Sequence, residues 1–230
     1  MDRHLDEELE AIKTDLLKMA VMVEEAIHLS IQALIKQDAR MASRIIAQDK
    51  EIDEMENRIE ERIIDALALF QPFAGDLRFM TTAMHINTEL ERIADLTVNI
   101  SQRVLELSDQ PILKPLIDIP RLGAQAKFMV RSAIDSFVKH DEKMALDVIM
   151  ADKTANQLRT LVIQELIYDY MVKDSATVTR AVPLLLLTRD LERICDHAAA
   201  IAEDVIYMVQ ARMVKHKRDV FDVNSEELNN

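Results

Sequence analysis

The chain has 230 residues and a formal net charge of −13, and its only basic run is Lys215, Lys217 and Arg218. A duplex-binding surface needs clustered Lys and Arg to displace phosphate counterions, so nucleic acid is excluded as a partner and that short run reads as a solvated helix end. With 2 Gly, 5 Pro and a single cysteine, the chain lacks the turns of an all-β fold and any intrachain disulfide.

The apolar pattern is helical almost throughout. In the first helix Leu5, Leu9, Ile12, Leu16, Met19, Val23, Ala26, Ser30 and Ala33 alternate steps of four and three, the spacing of a bundle seam. Lys36 and Gln37 end it, and Asp38 is expected to cap the second helix, because its short carboxylate can accept orphan amide hydrogens. Met41, Ile45, Ile52, Met55, Ile59, Ile63, Ala66 and Phe70 form that helix's seam. Pro72 and Gly75 break it. Asp76 is expected to cap a third helix whose inward residues are Phe79, Ala83, Ile86, Leu90, Ile93, Thr97, Ile100, Val104 and Leu107.

Pro111, Pro115 and Pro120 cannot all continue a helix, so the boundary between two domains is expected there. The plan then repeats, with helices over 120–139, 141–170 and 175–212. Pro183 marks either a kink in the sixth helix or a later start. The reading is all-α: two similar three-helix bundles of long antiparallel helices over 1–110 and 121–215, a Pro-rich linker over 111–120, and a polar tail over 216–230 expected to be disordered. No apolar stretch approaches the ~18 residues of a membrane span. The first ten residues are acidic and lack an apolar signal core, so the expected location is the cytoplasm.

The halves also match in sequence. Glu89-Leu-Glu-Arg-Ile-Ala-Asp95 aligns with Asp190-Leu-Glu-Arg-Ile-Cys-Asp196, and Lys36-Gln37-Asp38 with Lys139-His140-Asp141. Asp49-Lys50 then falls on Asp152-Lys153. The agreement in register reads as a tandem duplication.

This repeat carries the chemistry. Glu91 and Asp95 are four apart and share a helix face, which Asn99 continues; Glu192 and Asp196 repeat the arrangement. Asp49 and Asp53 are spaced alike in the second helix, with Asp152 and Asn156 as counterparts. Like charges at this spacing repel, and facing stripes on adjacent helices repel more. A hard, oxygen-preferring cation such as Mg²⁺, Mn²⁺, Ca²⁺ or iron would reverse the sign. The alternative is that the acids pair with Arg92, Arg193, Lys50 and Lys153 on a wet surface.

Other candidates are weaker. Glu25 and His28 have the E-x-x-H spacing of di-iron bundles, but the chain lacks the second such motif. His85 and His197 sit a step off their stripes, and Cys195 reads as a small packed thiol. No nucleophile elbow, phosphate-binding loop or Ser-His-Asp set is present.

The doubled Leu-Glu-Arg-Ile-x-Asp, with Asp76-Leu77-Arg78 before the first copy and Asp196-His197-Ala198 and Ile201-Ala202-Glu203 in and after the second, resembles the PhoU family over roughly residues 5–215. The resemblance implies two tandem three-helix bundles, metal ions or clusters held on E(D)-x-x-x-D motifs, and no enzymatic activity. It implies action with a phosphate ABC transporter, through its ATPase subunit, and with a sensor histidine kinase. In that setting the protein keeps the phosphate-starvation response off, is commonly a homodimer, and meets the membrane only through its partners.

Carried over by position, one site would use Asp49, Asp53, Glu91 and Asp95 with Asn99 beside it, and the other Asp152, Glu192 and Asp196. The family's usual Gly is Ala94 in one copy and Cys195 in the other, the Asn of the second copy is Ala200, and Asn156 replaces an acid. The second site therefore has fewer carboxylates. Two further readings stay open beside this one: a carboxylate-bridged di-metal oxidase, and a metal-free helical scaffold.

Overall fold

The structure, a computed structural model, describes residues 2–211. Six long helices appear in it and, among the described residues, no strand: α1 (Asp2–Lys36), α2 (Ala39–Phe70), α3 (Ala74–Leu107), α4 (Asp118–Lys139), α5 (Glu142–Gln164) and α6 (Val178–Gln210). The polar tail, Arg212 and the Lys215–Arg218 cations expected from sequence lie outside the described residues.

The turns between α1 and α2 and between α4 and α5 are built alike. Gln37 and His140 take left-handed φ values of 51° and 52°. The amides of Asp38 and Asp141 then reach back to Ala33 O and Ser136 O, both at 2.9 Å. Such a left-handed residue with a six-to-one bond closes a helix. Each aspartate at once caps the next helix, accepting from Met41 N and Met144 N at 3.0 Å. The sequence identity at these turns is thus a conserved stop-and-restart between the halves of one chain.

Several boundaries differ from the sequence expectation. Asp76 is not a cap: α3 starts at Ala74, and the Asp76 amide donates to Phe73 O at 3.1 Å, inside the first turn. Its charge still suits the positive end of the helix dipole. Pro120 lies within the first turn of α4, where its missing N–H would have no helical partner in any case. The fifth helix does not stay α-helical to Tyr170; it widens into a π-helical turn over Glu165–Met171. Ser175–Thr177 is a 3₁₀ turn, and Pro183 sits inside α6 rather than at its start.

Helices α1 to α3 pack on one another, as do α4 to α6, giving two three-helix bundles. The bundles join along α3 against α6 and α1 against α4. The pairs Arg78–Met208 and Glu89–His197 make the α3–α6 crossing antiparallel. This contact explains why α1 buries more than one seam. Ile27, Ile31 and Leu34 are buried beside Val23 and Ala33, because α1 faces its own bundle on one side and α4 on the other. All nine inward residues expected of α3 are buried, while Met41 and Phe70 of α2 are only partly covered and Ala42 is buried fully.

The segment between α3 and α4 is docked on the bundles. Leu113 and Leu116 pack on the core, and the buried Lys114 pairs with Glu165 at the start of the π turn. Gln37 Nε2 donates to the carbonyls of Leu107 and Gln110, at 3.3 and 2.8 Å. Among the described residues no helix is long and apolar enough to cross a membrane.

Candidate carboxylate sites

In the first half, α2 and α3 bring Asp49, Asp53, Glu91 and Asp95 within electrostatic reach of one another. A fifth acid joins them: Glu56 lies one turn beyond Asp53, on the same face of α2. The sequence carried the signal, since 49, 53 and 56 step by four and then three. Burial pushes the Glu91 carboxyl up to about 7, and Asp95, Glu56, Asp53 and Asp49 push in the same direction. Asp49 rises to about 6, first through burial and then through Asp53 and Asp95. Glu56 is raised too, by burial and then by Glu60, Asp53 and Asp95.

The cations expected to neutralise this stripe go elsewhere: Lys50 pairs with Glu54 at 3.7 Å and Arg92 with Glu89 at 2.8 Å. Among the described residues, none of the five acids has an ion pair. Asn99 continues the α3 stripe and is partly buried.

Asn87, one turn before Glu91 and 2 % exposed, donates through Nδ2 to Glu56 O at 2.9 Å and so ties α3 to α2. Its Oδ1 is buried with no hydrogen-bond partner. An orphaned amide oxygen one turn from Glu91, together with five mutually repelling carboxylates, has the oxygen chemistry that suits a hard cation. Among the described residues, no three His, Cys, Asp or Glu side chains converge to ligand distance. The acids line the α2–α3 groove without meeting, as uncompensated like charges should.

The second half has the same frame with other contents. Asp152 is buried, and Asn156 Nδ2 donates to its Oδ2 at 3.1 Å. Arg159 occupies the register of Glu56 and sets Nη1 3.7 Å from Glu192 Oε1 on α6. Glu192 is raised by burial and by Asp196, against which Arg159 pulls it down. Cys195 is fully buried; burial foremost, and then Asp152, Asp196 and Glu192, drive its thiol far up, so it is a packed and unreactive group.

The remaining candidates do not join a site. Glu25 and His28 lie exposed on α1. His85 faces Asp204 across α3 and α6 at 3.4 Å, and His197 faces Glu89 at 2.6 Å. Both histidines therefore serve the seam between the bundles, a role that needs the fold to be visible.

The comparisons with known proteins agree with this architecture. A family model described as PhoU domain matches twice, over residues 16–104 and 119–205. A protein of Aquifex aeolicus called "Phosphate-specific transport system accessory protein PhoU homolog" is 38 % identical over 213 residues, covering 93 % of this chain and 96 % of that one. A Pseudomonas putida protein of the same description is 33 % identical over 217 residues, covering 94 % and 84 %. The crystal structure of PhoU from Pseudomonas aeruginosa superposes with a TM-score of 0.86 at 33 % identity, covering 90 % of this chain and 99 % of that one. The phosphate transport system regulatory protein PhoU from Streptococcus pneumoniae gives a TM-score of 0.85 at 26 % identity, covering 92 % and 99 %.

Proposed function

The chain belongs to the PhoU family, with a PhoU domain in each half, and from that premise we propose that it is a regulatory accessory protein of a phosphate-specific transport system. In this reading it restrains phosphate uptake and keeps the phosphate-starvation response off while phosphate is plentiful. It does so as a cytoplasmic, non-enzymatic adaptor between the ATPase subunit of the transporter and a sensor histidine kinase, and it works as a homodimer. The observation that carries the reading is the match over both halves to relatives whose names tie them to that transport system.

The site chemistry supports a metal-binding form of this role. Asp49, Asp53, Glu56, Glu91 and Asp95 would hold a hard cation, with the Asn87 amide oxygen at hand. Such an ion, iron, Mg²⁺, Mn²⁺ or Ca²⁺, supplies positive charge between α2 and α3. With that charge in place the two stripes would no longer repel, and the acidic face of α2 and α3 would become a defined surface for a partner. Signalling is a shift between bound states, with no bond made or broken.

The test is genetic. Deleting the gene in a host with no second copy should raise alkaline phosphatase in phosphate-rich medium, and the intact gene should lower it again. Low phosphatase in the deletion strain would remove the regulatory reading.

A further inference from the structure

We infer that Arg159 is the built-in cation of the second half: its guanidinium supplies the positive charge that a bound ion would supply in the first half, so the second carboxylate set holds its shape without metal. The inference rests on the metal reading of the first site given above, and it adds that the two halves of this chain have diverged in their dependence on a cation.

The argument starts from register. One constant offset carries Asp49 to Asp152, Asp53 to Asn156 and Glu56 to Arg159. A second offset, fixed by the Leu-Glu-Arg-Ile motif, carries Asn87 to Thr188, Glu91 to Glu192, Asp95 to Asp196 and Asn99 to Ala200. Four of these positions change, and all four changes lessen the need for an external cation.

At the first, an acid becomes Asn156, whose amide donates to Asp152 at 3.1 Å. That bond gives one oxygen of a buried carboxylate a neutral donor. At the second, an acid becomes Arg159, which crosses from α5 to reach Glu192 of α6. At the third, Asn87 with its orphan oxygen becomes Thr188, whose hydroxyl donates to Leu184 O at 2.7 Å within its own helix. At the fourth, Asn99 becomes Ala200, and an oxygen donor is lost.

The geometry of Arg159 fits a charge more than a clamp. Its approach to Glu192 is 3.7 Å, beyond hydrogen-bond distance, and its Nε is buried with no hydrogen-bond partner. A guanidinium held this way acts on the carboxylates as a resident positive centre, the part an ion would otherwise play. The charges that act on Glu91 in the first half are the acids Asp95, Glu56, Asp53 and Asp49, whereas Arg159 and Arg189 act on Glu192 in the second.

The experiment uses the full chain, Mn²⁺ as the probe, and thermal unfolding with and without EDTA as the readout, with bound metal per chain measured after gel filtration. The double variant Glu91→Gln, Asp95→Asn should lose the Mn²⁺-dependent rise in Tm and its bound metal. Adding Asn156→Asp and Arg159→Glu, which copies the acids of the first half's α2 onto α5, should restore a rise of several degrees and one bound equivalent. If the graft does not fold in EDTA, folding on addition of Mn²⁺ is the same gain. If it folds under neither condition, Arg159→Met in the double-variant background decides, and it should acquire a Mn²⁺-dependent Tm.

The inference is overturned if Glu91→Gln, Asp95→Asn still responds to Mn²⁺ and loses the response on adding Glu192→Gln. It is also overturned if a folded graft stays indifferent to Mn²⁺, or if Arg159→Met does so when it decides. A wild-type chain that ignores Mn²⁺ would end the metal reading of the first site instead. The graft, or Arg159→Met where the graft does not fold, would still decide the role of Arg159.

Discussion

His197 Nδ1 of α6 lies 2.6 Å from Glu89 Oε2 of α3, a polar link from one half of the molecule to the other. Arg92 Nη1 donates to the second oxygen of the same carboxylate at 2.8 Å. Burial disfavours the charged form of Glu89, but His197 and then Arg92 outweigh it and hold the carboxyl below its ordinary value of 4.5. A lowered folded-state value contributes stability above the ordinary value, and that stability is lost as pH falls through the lowered one. Glu89→Gln should therefore cost about 1–2 kcal/mol at pH 7. The cost should vanish at pH well below 4.5, where both proteins are neutral at this position. Urea midpoints of the two proteins across this range check it; a cost that persists in acid would show that shape, not charge, matters there.

The first carboxylate site gives the opposite pH dependence. Asp49 and Glu91 titrate at about 6 and about 7 in the folded chain, against ordinary values of 3.8 and 4.5. Between those values the folded state binds more protons than the unfolded one, so stability falls as pH rises through the window. In EDTA, Glu91→Gln should stabilise the protein at pH 8 by about 1 kcal/mol, a figure held down by solvent screening of a half-exposed group. The gain should shrink to nothing near pH 4. Excess Mn²⁺ should reverse the order at pH 8, making wild type the more stable. Denaturant titrations at both pH values, with and without the cation, decide the point.

The Asp38 cap, its alignment with Asp141 and the doubled motif were legible because they depend on local spacing, and α2 and α3 buried nearly the seams their periods required. What escaped depends on which helix lies opposite. Nothing in the segment around Arg159 says that its guanidinium meets Glu192, and a motif-bound view of the acids passed over Glu56 although its spacing fits. Asn87 reads as one more polar residue until burial removes water from its carbonyl oxygen. Asp76 does not cap because capping depends on backbone angles, and the chain enters the helix three residues sooner, at Ala74 after Phe73. The π turn after Gln164 has no period in the sequence to announce it.

Gly123 sets the distance between α4 and α1. A Cβ placed there would come within 2.6 Å of Ile31 Cγ1 and 3.0 Å of its Cδ1. Ile31 is buried and β-branched, so its χ1 has little freedom to yield. Gly123→Ala gains helix propensity but overpacks this crossing, and a net loss of about 1–3 kcal/mol is expected. The double variant with Ile31→Ala should be more stable than the two single costs add up to, since each change relieves the strain or fills the space of the other. Thermal unfolding of the four proteins measures the coupling; strict additivity would mean that α1 and α4 can simply move apart.

Lys114 is the second fastening, and it belongs to the connecting segment rather than to a helix. It is 3 % exposed and pairs with Glu165, the first residue of the π turn. A buried ammonium is costly without its partner, so removing one charge should hurt more than removing both. Lys114→Met keeps the length of the side chain and leaves the Glu165 carboxylate alone; a loss of about 2 kcal/mol is expected, below the usual range because Glu165 keeps some access to water. The pair Lys114→Met, Glu165→Leu should recover much of that loss. Unfolding midpoints of the two single variants and the double give the coupling directly. A coupling near zero would mean that Leu113 and Leu116 alone hold the segment to the core, and that the ion pair only sits where their packing leaves it.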